Sequence, residues 1–275
     1  MKLLTCSGVD STKKFREEYD LKIVPLKITI DGNEYIDDEN LDTDNLLKLM
    51  KESQNAPQTA CPSPNDFIEK FTEGVTNLVI TISSKLSGTY NSAIMAKEIY
   101  EAEHEDTSVE IIDSLSASAG GVPIVMKAQE LYNAGLRDGE LVKEINKFVG
   151  TMKTFFVIDS LENLAKAGRM SLVVEKIASL LDIKPVMQGD EGEIKLLKKA
   201  RGHKRAMRTL IDEIGKTGID FENRVLSISH SHSAEKAHKF KEAVEEKYKF
   251  KEIIVNDTLG LSTVYTGGGG IVISF

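Results

Sequence analysis

The sequence predicts an α/β protein in two parts: a mostly parallel sheet flanked by helices, then an α+β half. Three observations carry this reading. Short apolar runs alternate with helical spacings through the first half, the pattern of strands joined by crossover helices. A turn-rich hairpin signature follows Lys153-Thr154-Phe155-Phe156-Val157-Ile158. The length, 275 residues, favours two domains over one. The boundary is placed between residues 152 and 153, giving an N-terminal α/β domain over 1–152 and a C-terminal α+β domain over 153–275, with no Gly/Ser-rich linker to mark it.

In the first half, Leu3-Leu4 and residues 23–30 read as strands, and Asp31-Gly32 as a hairpin turn into residues 33–36. Thr43 is placed to cap a helix carrying Leu46, Leu47 and Met50. Residues 56–62 form a proline-marked loop before Ser63-Pro64, an N-cap followed by proline at the first helical position. Residues 77–82 read as a buried strand, and Ala93, Ala96, Ile99 and Tyr100 recur at helical spacing after it. Another strand covers 109–113, and the helix after Ser118 carries Val122, Val125, Met126 and Leu131. In the second half, residues 183–188 and 194–197 flank Gly189-Asp190-Glu191-Gly192 as a hairpin. A helix over 204–215, a strand over 224–229, a charged helix over 234–247 and a final strand over 271–275 complete the pattern.

Composition excludes several classes. Hydrophobic residues are 41% and charged residues 28%, which implies neither disorder nor a membrane span. No apolar run approaches the roughly 20 residues of a spanning helix, and the N-terminus lacks the apolar stretch of a signal peptide, so a cytoplasmic location is expected. A net charge of −8 argues against general nucleic-acid or anionic-membrane binding and leaves a local basic face open. Cys6 and Cys61 have no metal-ligand spacing and are expected as free thiols; neither a metal nor a cofactor is expected.

The segment Ile82-Ser83-Ser84-Lys85-Leu86-Ser87-Gly88-Thr89-Tyr90 joins an apolar strand to a helix through a hydroxyl-rich turn. Free backbone N–H groups and the positive end of the helix dipole make such a turn a seat for a carboxylate or phosphate. Ser84, Ser87 and Thr89 add hydroxyls, and Gly88 admits close approach to the backbone. Equally, serines here serve as helix caps. A serine-dependent esterase or acyltransferase is the alternative reading. It lacks a G-x-S-x-G elbow, and His230 and His232 have no carboxylate assigned to them. The run Gly267-Gly268-Gly269-Gly270 lacks the Lys-Ser or Lys-Thr of a nucleotide-binding loop.

Taken in order, Thr59-Ala60-Cys61-Pro62-Ser63-Pro64, the serine turn, Asp113-Ser114-Leu115-Ser116-Ala117-Ser118, Leu161 to Ser171 with its Gly168-Arg169, and Ile183-Lys184-Pro185 resemble the DegV family. The resemblance spans nearly the whole chain. It implies a bacterial protein that buries a long-chain fatty acid between two domains, with no catalytic residue of its own. It further implies a separate kinase partner that phosphorylates the acid, and transient membrane contact for lipid exchange. Matched residue by residue, Thr59 and Ser87 correspond to the carboxylate hydroxyls, with Ser84 and the Gly88 backbone beside them. Arg169 corresponds to an arginine near the head-group, and Arg201 to a basic segment at the mouth or partner surface. Tyr265 stands where the family usually has a histidine; it can hydrogen-bond an anion but lacks the proton shuttling of an imidazole. Thr5-Cys6-Ser7-Gly8 stands where the family's first strand often ends in Asp-Ser, and Ala60-Cys61 replaces a more usual Ser-Gln. Ile82, Ile94, Val122, Val125 and Met126 are the candidates for lining a tunnel.

Overall fold

Three sheets divide the strands by the kind of connection that joins them. The computed structural model describes residues 1–170 and 182–275. The chain opens with β1 (Lys2–Cys6), α1 (Lys13–Glu18), β2 (Leu21–Val24), β3 (Lys27–Ile30), β4 (Asn33–Ile36) and α2 (Thr43–Glu52). It continues through β5 (Gln58–Ala60), α3 (Pro64–Ile68), β6 (Asn77–Thr81), α4 (Thr89–Glu103), β7 (Val109–Asp113), α5 (Gly121–Asn133) and α6 (Asp138–Thr151). The second half holds β8 (Thr154–Val157), α7 (Glu162–Lys166), β9 (Ile183–Asp190), β10 (Glu193–Arg201) and α8 (His203–Ile214). After these come β11 (Val225–His230), α9 (Ala234–Glu245), β12 (Glu252–Asp257), α10 (Gly260–Thr266) and β13 (Ile271–Ser274).

A four-stranded, wholly parallel sheet has the order β2-β1-β6-β7. Parallel neighbours need crossovers, which α1 and α4 supply. Strand order reverses between β1 and β6, so their carboxyl ends border a switch point, where open α/β sheets take ligands. Period-two alternation gives the sheet two cores: Leu3 and Leu78 pack with Val122, Val125 and Leu141, while Leu4 and Val79 pack with Phe67, Ala93 and Ala96. All five residues of β6 are buried, as expected of a strand covered on both faces.

The run 23–30 is not one strand. Pro25 cannot donate to a ladder and divides it, so β2 joins the parallel sheet while β3 joins a small antiparallel sheet of order β4-β3-β5. The Asp31-Gly32 hairpin forms as expected, with φ of +49° and +81°. The loop over 56–62 contains β5, a three-residue strand that places Thr59 opposite Ile28, too short to show a period. Asp42, one residue before the expected cap, accepts from Asn45 N–H at 3.0 Å, and Thr43 is the first helical residue. Ser63 forms a capping box with Asp66, and Pro64 opens α3.

Strands β8–β13 form a six-stranded mixed sheet of order β10-β9-β8-β13-β11-β12. One face packs Phe155, Val157, Leu226, Ile228 and Ile273 against Leu210 of α8 and Phe240 of α9. The alternate residues Phe156, Ile158, Met187 and Val272 face the loops of the parallel sheet. The β9–β10 hairpin extends further than its apolar run suggested and turns at Glu191-Gly192, both at positive φ. Five elements have no counterpart in the sequence pattern described above: α1, α6, α7, β12 and α10.

The seven residues of α10 include a glycine and three β-branched residues, a poor intrinsic helix held by its surroundings. Asp37 accepts Gly260 N–H at 2.7 Å on one oxygen and Leu261 N–H at 2.8 Å on the other. Asp10 accepts Leu259 N–H at 2.8 Å and the Ser118 hydroxyl. Both carboxyls are buried, and burial pushes each up to about 6, outweighing hydrogen bonds that favour the ionised form. The native value lies above the ordinary 3.8, so each group contributes stability that is fully present below that value and lost as pH rises through about 6. In urea titrations from pH 4 to 7.5, the advantage of wild type over Asp37→Asn should narrow with rising pH; a widening gap would contradict this assignment. Asp37→Ala, which orphans two helix N–H groups, should cost about 2–4 kcal/mol in the same titration at pH 7.5.

Candidate functional site

A cavity of about 330 Å³ lies between the loops leaving the parallel sheet and the inner face of the mixed sheet. This is within the range of small-molecule pockets. Gly8, Leu26, Ile82 and Ala117 form one wall, and Phe156, Ile158, Leu164 and Val272 the opposite one. Leu261, Tyr265 and Thr266 of α10 and the β9–β10 hairpin close the sides. The hairpin tip is seated on the serine turn: Ser83 hydroxyl donates to the Gly192 carbonyl at 2.8 Å. A β-carbon on Gly192 would stand 2.5 Å from that hydroxyl oxygen, so only glycine permits the seat.

Five of the seven residues singled out in the sequence line this cavity: Thr59, Ser87, Gly88, Arg169 and Tyr265. Their juxtaposition is tertiary. The Thr59 and Tyr265 hydroxyls, 206 positions apart, are 2.7 Å from each other. Cys61 sits beside Gly88, its Sγ 3.2 Å from where a β-carbon would be. Ser87 shares a 2.8 Å hydroxyl contact with Thr89 and accepts Thr89 N–H at 3.3 Å from the position before Gly88, which is itself the N-cap of α4. The N–H groups of Tyr90 and Asn91 at the start of α4 have no acceptor among the described residues. Arg169 follows Gly168, whose φ of +72° ends α7, and its Nε donates to the Leu86 carbonyl at 3.1 Å. A second guanidinium nitrogen donates to the Ala167 carbonyl, leaving further donors of the fork uncommitted among the described residues. Ser171, at the end of this motif, lies outside the described residues.

Ser84 and Arg201 are not in the lining. Ser84 is exposed and donates its N–H to the Asp113 carboxylate at 3.2 Å. Arg201 is exposed at the end of β10, 3.3 Å from Asp182. Of the five tunnel candidates only Ile82 reaches the cavity; Val122, Val125 and Met126 pack in the core behind the parallel sheet, and Ile94 is not in the lining. Their helical period records burial, which a core and a cavity wall satisfy equally.

Several contributors escaped sequence reading. Asp10-Ser11, just beyond the Thr5–Gly8 segment, is buried and braces α10 through Asp10. Asp37 follows a strand too polar on its outer face to draw notice. The hydroxyls of Ser116 and Thr154 bind each other at 2.7 Å across the cavity floor. The carboxylates missing for the histidines are present: Asp44 lies 2.9 Å from His232, and Asp257 lies 3.4 Å from His230. Neither histidine lines the cavity, and no histidine is hydrogen-bonded to a serine among the described residues. Cys6 is buried, which pushes its thiol up to about 11, and no cluster able to hold a metal ion occurs among the described residues.

The family model described as "uncharacterised protein, DegV family" matches residues 1–275. A DegV domain-containing protein of Streptococcus gordonii is 33% identical over 281 aligned residues, covering all of this chain and 98% of the relative. A DegV family protein of Ruminococcus gnavus, refined with vaccenic acid, superposes with a TM-score of 0.93 at 31% identity, over 100% of this chain and 99% of the other. The Streptococcus pneumoniae fatty acid kinase (Fak) B3 protein, loaded with linoleic acid, gives 0.90 at 30% identity, covering 100% of this chain and 98% of the other. These matches extend over all three sheets and every segment that builds the cavity, and the chain belongs to the DegV family.

Proposed function

We propose that this protein binds a long-chain fatty acid in the cavity, its carboxylate on Thr59, Ser87 and the Gly88 backbone, and presents it to a separate ATP-dependent kinase. The carrying observation is an apolar cavity whose lining includes a hydroxyl pair, Thr59 and Tyr265, beside the start of α4. Similar chains solved with vaccenic, heptadecanoic and linoleic acids support the ligand class, and the fatty acid kinase (Fak) B3 protein among them supports the partner. Burying ~14 methylenes at ~0.8 kcal/mol each is worth on the order of 11 kcal/mol gross, far above a pair of hydroxyl contacts. The tail therefore supplies affinity and the head sets orientation.

In this reading Arg169 lies close enough to the serine turn to meet a head-group or the phosphate made on it, since a guanidinium fork suits a phosphate bidentately. Arg201, exposed and outside the cavity, belongs to the surface offered to the partner. The division at 152/153 is supported by the strands: β1–β7 supply two sheets and β8–β13 the third. No helix among the described residues is long and apolar enough to cross a membrane. The protein supplies no catalytic group of its own and leaves phosphoryl transfer to the kinase.

Mass spectrometry of natively purified protein after organic extraction should find a stoichiometric C14–C18 acid; an empty protein that also refuses added fatty acid would return the serine-esterase alternative. The Thr59→Ala/Ser87→Ala double variant should retain at least tenfold less acid after dialysis, because charge-assisted bonds are worth about 1.5–3 kcal/mol each. Tyr265→Phe, which strips only the hydroxyl shared with Thr59, should raise the Kd for a fluorescent fatty acid about fivefold, and an unchanged Kd would remove Tyr265 from the head-group site.

A further inference from the structure

The mixed sheet carries its own strand–serine–helix junction. Ser231-His232-Ser233 leaves the carboxyl end of β11, which runs parallel to β12, and enters the twelve-residue helix α9. The glycine run before β13 packs against it: Gly269 N–H donates to the Ser231 carbonyl at 2.7 Å, and Ser231 N–H to the Gly270 carbonyl at 3.1 Å. Between them lies a cleft of about 410 Å³ lined by residues 232–236, the carboxylate of Glu235 included, with Asp159, Gly268 and Gly269.

Donors in this cleft are in surplus. Ser233 occupies the N-cap position and is only 7% exposed, yet its hydroxyl makes no capping bond and has no partner among the described residues. The N–H groups of Ala234, Glu235 and Lys236 likewise have no acceptor there. The carboxylates nearby are already matched: Asp159 with Lys184 at 2.7 Å, Glu235 with Lys239, and Asp44 with His232 at 2.9 Å. Lys236 makes no ion pair within 4.0 Å among the described residues; its Nζ is 3.4 Å from where a β-carbon on Gly269 would be, near enough to Asp159 that, against the effect of burial, its charge, with that of Lys184, helps to hold that carboxyl below the ordinary value. Gly269 stands at φ +102°, with Asp159 Oδ2 only 2.5 Å from that β-carbon position, so the loop approaches closely because it bears no side chain there. Beside Lys236 and Asp159, both ring nitrogens of His203 are buried without a partner.

We propose that this cleft is a second binding site, for a phosphate group. Three backbone N–H groups, an unpartnered hydroxyl open to the cleft and an ammonium lie together at the amino end of a helix, a donor set suited to a tetrahedral dianion with several acceptor oxygens. The group is either inorganic phosphate or the phosphate of a larger ester. The site is separate from the apolar cavity although one segment serves both: Tyr265 and Thr266 line the first, Gly268 and Gly269 the second. It does not depend on the fatty-acid reading.

The test is isothermal titration of the full chain with sodium phosphate, and separately with glycerol phosphate, at pH 7.5 and constant ionic strength. Wild type should bind saturably, Ser233→Ala and Lys236→Gln should bind at least tenfold more weakly, and Lys239→Gln, near Lys236 on the same helix, should bind as wild type does. Ser233→Thr, which keeps the hydroxyl, should retain binding and keeps the test decisive if the alanine variant misfolds. Tighter binding of the free ion assigns inorganic phosphate, and tighter binding of the ester assigns a phosphorylated molecule. Absence of saturable binding to either compound, or an equal loss in Lys239→Gln and Lys236→Gln, overturns the proposal.

Discussion

Two buried carboxylates from the first half of the chain hold the amino end of α10 in the second, and the cavity depends on that junction. Asp37 grips the first two helical N–H groups of α10, and Asp10 the one before them. A seven-residue helix is too short to persist alone. Negative charge at its amino end, supplied from another layer, both orients it and satisfies its donors. Tyr265 projects from this helix to Thr59 on β5, so the bond between those two candidate hydroxyls rests on carboxylates that touch neither. Burying them raises their pKa values, a cost met because the alternative is three unpaired N–H groups, two of them fully buried.

The cavity itself is a product of alternation. Along β8, Phe155 and Val157 enter the core beneath α8 and α9, whereas Phe156 and Ile158 face the loops of the parallel sheet. Those loops are rich in serine, threonine and glycine and cannot fill the facing space as aliphatic side chains would. A void remains that is apolar on the sheet side and hydroxyl-bearing on the loop side, the division of labour an amphipathic ligand requires. The hairpin tip at Gly192, locked to Ser83, closes it from the side. The same principle acts at the far end of the Tyr265 segment, where a glycine run leaves room beside the start of α9.

Much of this was legible in the residues themselves. The buried strand β6, the capping box at Ser63 and the Asp31-Gly32 hairpin are local, and period, cap and turn chemistry identify them without neighbours. The serine turn is local too: Ser87 accepts Thr89 N–H at the start of α4 and also lines the cavity. What misled was equally physical. Residues 23–30 share one strand-like composition, yet Pro25 sends their two ends into different sheets. The apolar spacings of Val122 and Val125 were sound as burial signals, but burial alone does not distinguish a packed core from a cavity wall.

By itself, then, the sequence determined the alternation of strands and helices, the class of fold and the hydroxyl-rich turn, because these follow from interactions among residues a few positions apart. The family resemblance pointed further, to Thr59, Ser87 and Arg169 as one group. Only the tertiary structure decided that Thr59 meets Tyr265 across 206 positions, that Ser84 and Arg201 stand outside the cavity, and that Asp10 and Asp37 brace α10. The physical reason is that a site between two sheets is set by which strand faces oppose each other. That depends on sheet order, crossover and docking, none of which leaves a periodic trace in the chain.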